Sequence, residues 1–117
     1  MPLPVIPPFL APFLGPLLRK TSREKATVVL SKPSVREPIL TRMRKEGVLG
    51  LGTRQAIRWC LYWQCKALLS SVGLKSGTVA DAVRDSVDDK VIEEVASVGD
   101  YADAYDRTAA ALINVVW

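Results

Sequence analysis

Between Thr78 and Gly99 the chain reads TVADAVRDSVDDKVIEEVASVG, and valine recurs at every fourth position: Val79, Val83, Val87, Val91 and Val95. Asp81, Asp85, Asp89 and Glu93 form a second row of the same spacing, offset by two. On a strand both rows would share one face, mixing carboxylates with valines. On a helix an offset of two turns them about 200° apart, so the pattern predicts one amphipathic helix over 78–99. Thr78 and Asp81 supply its capping pair and Gly99 its stop. A spacing of four overshoots the 3.6-residue turn, so the valine row drifts around the axis. That suits an oblique helix crossing better than a long coiled coil.

A last helix follows, with Asp100 as N-cap and Tyr101, Tyr105, Ala109, Leu112 and Val116 as its apolar stripe. So short a junction predicts a bent pair of helices rather than an antiparallel hairpin. Upstream, TRQAIRWCLYWQCKALLSSVG (Thr53 to Gly73) reads as a helix capped by Thr53 and stopped by Gly73. Its apolar centre is interrupted by Gln64 and Lys66. Three placements fit it: burial against other subunits, an in-plane interfacial position, or a tilted membrane span with Arg54 and Arg58 snorkelling. Before it, SVRE at Ser34–Glu37 matches a capping box, and the helix it opens runs through Pro38 to a stop at Gly47. ATVVLSK (Ala26 to Lys32) is rich in β-branched residues and reads as a short extended piece.

The first twenty residues carry prolines in register at Pro4, Pro8, Pro12 and Pro16. A regular helix through the last three is penalised by roughly 9 kcal/mol at ~3 kcal/mol per interior proline. The pattern therefore predicts an extended apolar strap. Such a path leaves backbone groups unsatisfied in hydrocarbon, which argues against a membrane span. No basic residue precedes the apolar run and no A-x-A site follows it, which argues against a signal peptide.

Composition sharpens this picture. The chain has 117 residues, of which 49% are hydrophobic, more than so small a body is expected to hide on its own. Net charge is +4, but residues 1–75 hold 13 Lys/Arg and three acids, whereas 76–117 hold three Lys/Arg and nine acids. The basic half suits RNA, anionic lipid or an acidic subunit, or the two halves neutralise each other within the fold. The acidic row reads as a solvated face or as a docking surface for a basic neighbour.

Candidate chemistry is sparse. Histidine is absent, which removes the commonest general base and metal ligand. Cys60 and Cys65 stand five apart, about 140° around a helix, and read as reduced thiols rather than a bridge. Gly47, Gly50 and Gly52 lack the order of a phosphate loop. No cofactor-binding pattern is present; the small molecule the sequence would suit is a bound phospholipid such as cardiolipin.

The expectation is thus a mainly α protein: a Pro-rich arm followed by about four helices, not a compact independent globule. Its segments are a strap over 1–20, a basic aromatic part over 21–75 and an acidic helix pair over 76–117. It reads as a non-catalytic accessory subunit of a large membrane-associated complex. The best host is the mitochondrial inner membrane, in a respiratory complex or ATP synthase, with a ribosomal or other ribonucleoprotein role through 1–75 as the alternative. The partners expected are other protein subunits first, then membrane lipid, with RNA behind both. Partner contacts are expected from Pro8, Phe9, Pro12, Phe13, Pro16, Val83, Val87, Val91, Val95, Leu112 and Trp117. Lipid or anion contacts are expected from Arg42, Arg44, Lys45, Arg54, Arg58, Trp59, Trp63 and Lys66.

Overall fold

In the computed structural model, residues 11–46 and 54–117 are described, and these form seven helices with no strand among them. They are α1 (Ala11–Lys20), α2 (Arg23–Ser31), α3 (Pro33–Glu46), α4 (Arg54–Ser71), α5 (Gly77–Asp85), α6 (Asp89–Ala96) and α7 (Tyr101–Val116). Helix α4 is the axis of the fold, packing against α2, α3, α5, α6 and α7. Its inner face (Ile57, Cys60, Leu61, Cys65, Leu68 and Leu69) is buried in the chain's own core. The radius of gyration, 13.4 Å, is that of a compact domain of this length, ~13 Å. Neither the expected count of about four helices nor the open shape is found. Among the described residues the large apolar side chains left exposed are Leu18, Val28 and Trp63, so these helices hide most of their own apolar surface.

Residues 11–20 are helical where an extended strap was expected. Pro12 falls in the first turn of α1, where no N–H is needed, so only Pro16 carries the interior penalty. Leu14 and Leu17 are both buried, and at about 1.5–3 kcal/mol each they outweigh the ~3 kcal/mol that one proline costs. Pro8 and Phe9 lie outside the described residues.

The segment 26–32 is also helical rather than extended. Ser22 caps α2 by accepting from the Lys25 N–H at 3.2 Å, and Ala26 and Leu30, one turn apart, are buried. Their burial overrides the β preference of Val28 and Val29. Lys32 alone joins α2 to α3. Its N–H donates to the Val28 carbonyl at 3.1 Å and its carbonyl accepts from the Arg36 N–H at 2.8 Å. Pro33 takes the first helical position, to which its fixed φ is suited, so Ser34 already stands inside the helix instead of capping it.

This abrupt corner strands the Leu30 carbonyl, which is met by the Tyr105 hydroxyl of α7 at 2.7 Å. Arg36 lies over the Tyr105 ring at 5.5 Å and reaches Asp106 at 3.5 Å. Tyr105 therefore fixes where α3 leaves the core. Beside it, the Gln64 amide donates to the Tyr105 carbonyl at 3.2 Å.

Helix α4 ends as the sequence suggests. Gly73 takes φ +78°, the Leu74 N–H donates to the Leu69 carbonyl at 2.8 Å and the Gly73 N–H to that of Ser70 at 3.1 Å, closing a Schellman turn. The expected 78–99 helix is instead two. Helix α5 is capped by Ser76 rather than by Thr78, and it stops at Ser86, whose hydroxyl bonds back to the Ala82 carbonyl at 2.8 Å. Asp88 then caps α6, accepting from the Lys90 N–H at 2.7 Å. The break cancels the drift of the valine row. Over the four steps from Val79 to Val95 a straight helix would rotate it by about 160°, yet Val79, Val83, Val87 and Val95 are all buried. Gly99 (φ +75°) and the Asp100 cap turn the chain into α7.

Candidate functional site

A groove of about 570 Å³ runs between α3 and α4. Helix α3 contributes Val35, Pro38, Ile39, Arg42 and Lys45, positions three or four apart that share one stripe. Helix α4 contributes Trp59, Trp63, Lys66 and Ala67 on the same spacing. The floor is apolar and the cations stand along it; no carboxylate is among its described lining residues. Trp59 is partly buried against the core, whereas Trp63 keeps 44% of its surface exposed. The two indoles lie 6.3 Å apart at 58°, and Tyr62 meets Trp63 edge-on at 5.3 Å. This packing holds the exposed indole in a fixed pose.

On the other side of the same tryptophans lies a second cleft, about 580 Å³, toward α5. Its charges are mixed. Arg84 bonds Asp81 at 3.1 Å and Asp85 at 3.0 Å, and lies 6.0 Å from the Tyr62 ring centroid. The Asp85 carboxylate holds the Arg84 guanidinium above its ordinary range. Farther along, Arg58 pairs with Asp89 and Arg54 with Glu93. The acidic row of α5–α6 thus finds its basic neighbour within the chain.

The structure sorts the residues singled out in the sequence. Arg42, Lys45, Trp59, Trp63 and Lys66 share the α3/α4 groove. Arg54 and Arg58 instead face the acidic row, and Arg44 is exposed outside the groove lining. Val83, Val87, Val95 and Leu112 are buried in the chain's own core, and Val91 and Trp117 pack against it. All six thus pack within the chain's own fold, four of them buried and two partly so. Pro12 is exposed and Pro16 half-buried, while the Phe13 side chain lies outside the description.

Sequence reasoning missed Tyr105 as the residue that positions the α3 wall. Proline alone does not mark it: the missing Pro33 N–H leaves the Val29 carbonyl short of its usual donor, and the Lys32 N–H meets that one at 3.2 Å.

Chemically the groove offers an apolar floor, two indoles and cationic side chains. Burial pushes the Cys65 thiol up to about 12 and the Cys60 thiol further, although Lys66 and a Thr108 hydrogen bond pull the other way. Neither is a thiolate near neutral pH. Among the described residues no three of His, Cys, Asp and Glu gather as metal ligands, and no helix is long and apolar enough to cross a membrane. Comparison with protein-family models, curated proteins and solved structures finds no match.

Proposed function

We propose that this chain is a non-catalytic accessory subunit that docks onto another protein of a hetero-oligomeric complex through its α3/α4 groove. The observation that carries the reading is the half-exposed Trp63, held at the edge of an apolar groove with Arg42, Lys45 and Lys66 along it. A rigid aromatic beside an uncovered apolar floor, with cations around it, is the usual make-up of an interface anchor. The charge asymmetry of the two halves supports a particular host less than it first does, because Arg54 and Arg58 are neutralised by α6. Association with a membrane complex, including a mitochondrial one, therefore rests on the docking partner and not on the chain's own charge.

The test is native-gel migration of the tagged protein in its source cells. Wild type is expected in an assembly well above its own 12.8 kDa, and Trp63→Ser is expected to run alone while its circular-dichroism melt stays cooperative and falls by no more than about 5 °C. Migration of wild type as a monomer overturns the reading.

A further inference from the structure

We infer that the occupant of the α3/α4 groove is an amphipathic helix of about three turns with carboxylates along its flanks. This rests on the docking reading above and specifies its partner. The shape argument comes first. On α3 the lining runs from Ser34 to Lys45, and on α4 from Trp59 to Ser70, twelve residues and so eleven rises on each. At 1.5 Å per residue both walls are about 16 Å long. Two helices that each offer one stripe over the same length form a seam that a third helix completes, as in other helix-in-groove complexes.

The charge argument selects the guest. Cations stand on both walls, Lys45 on α3 and Lys66 on α4. An acyl chain would fill the apolar floor but bring its charge to one end only. A nucleic acid would meet the cations and could stack on Trp63, but it would leave Val35, Pro38, Ile39 and Ala67 facing phosphates. A helix with an apolar face and acidic flanks satisfies the floor, the indole and both walls together. The neighbouring cleft acts as an internal comparison. It shares both tryptophans and has nearly the same volume, but Asp81 and Asp85 line it and hold Arg84, so it presents an acidic guest with nothing like Lys45 and Lys66 on facing walls.

The experiment titrates the full-length chain with two designed fourteen-residue helical peptides. They carry identical apolar faces and either Glu or Lys on the flanks, and binding is read by calorimetry and by tryptophan emission. The Glu peptide is expected to bind at least tenfold tighter than the Lys peptide, with a blue shift of the emission. In Lys45→Glu/Lys66→Glu the preference is expected to invert. Should that variant fail to fold, Lys45→Gln/Lys66→Gln is expected to shrink the preference severalfold while its melt stays at the wild-type value. Equal affinities for the two peptides, or a preference untouched by these substitutions, overturn the inference. So does displacement of the Glu peptide by anionic phospholipid vesicles or single-stranded RNA at lower concentration than the peptide itself. A chain that loses its native assembly with Trp63→Ser yet ignores the Glu peptide keeps the docking role and refutes this partner.

Discussion

The two clefts on either side of Trp63 share their aromatic wall and differ in what has been done with their cations. Toward α5, each arginine meets carboxylates of the same chain: Arg84 with Asp81 and Asp85, Arg58 with Asp89. Toward α3, Lys45 and Lys66 stand on facing walls where no carboxylate is among the described lining residues. Equal volume and shared indoles therefore do not make equal sites. The difference arises from the row of acids on α5–α6, which closes one side electrostatically and leaves the other open to an acidic guest.

Trp59 is the wall common to both clefts, and its removal is the largest way to break the comparison. It packs against the core while Trp63 stands at the edge. Trp59→Ala is expected to cost about 3 kcal/mol of stability, the lower end for truncating a large aromatic, and to abolish both clefts. Trp63→Ser is expected to cost no more than ~1 kcal/mol, mostly its edge contact with Tyr62. Urea unfolding monitored by circular dichroism separates the two. Similar losses would mean that Trp63 is structural and not an anchor.

Alkaline pH acts beneath both clefts at once, through the thiols on the inner face of α4. Each thiol is held neutral by burial, so its folded value lies above the ordinary 9.0. The contribution is complete below pH 9 and is lost as pH rises from 9 toward about 12 for Cys65, because only the unfolded chain releases those protons. One unit above its ordinary value each thiol forfeits about 1.4 kcal/mol. The stability of wild type should thus fall more steeply between pH 8 and pH 10 than that of Cys60→Ala/Cys65→Ala. Parallel pH profiles would contradict the sealed α4 face. In the same preparations native thiols should resist a colorimetric disulfide reagent at pH 8 and react once unfolded.

What was legible from sequence follows from how local the cause is. The Asp100 cap of α7 and the Gly73 stop of α4 are local patterns with one good solution, and the structure adopts it; the valine row was legible as one apolar face, but what covers that face was not. Helices α1 and α2 were misread because their local signals, proline and β-branching, are overruled by the burial of Leu14, Leu17, Ala26 and Leu30 against distant helices. The gathering of Arg42, Lys45 and Lys66 with two tryptophans depends on how α3 leaves the Tyr105 corner, which no periodicity encodes. The fate of Arg54 and Arg58 was more nearly readable. They stand four apart, as do Asp89 and Glu93, and the pairs form in reverse order, 54 with 93 and 58 with 89. That is the ladder expected of two antiparallel helices with matched charge spacing.

The ladder also supplies the smallest effect and the finest test of the comparison. The Arg58 and Asp89 side chains are 39% and 63% exposed, so solvent screens the pair and its coupling should be only about 0.5 kcal/mol. A double-mutant cycle with Arg58→Met and Asp89→Asn measures it directly. Part of any gain from the pair is offset within Arg58 itself, whose buried Nε has no hydrogen-bond partner. Arg58→Met is therefore expected to be nearly neutral, and the coupling should fall toward zero in 1 M salt. If the neutralised side behaves as argued, Asp89→Asn should leave binding of the acidic peptide in the α3/α4 groove within twofold of wild type. A coupling above about 2 kcal/mol, beyond the range of exposed pairs, would show that the ladder holds α6 in place. A groove affinity that tracks Asp89 would show that the two sides are one electrostatic unit.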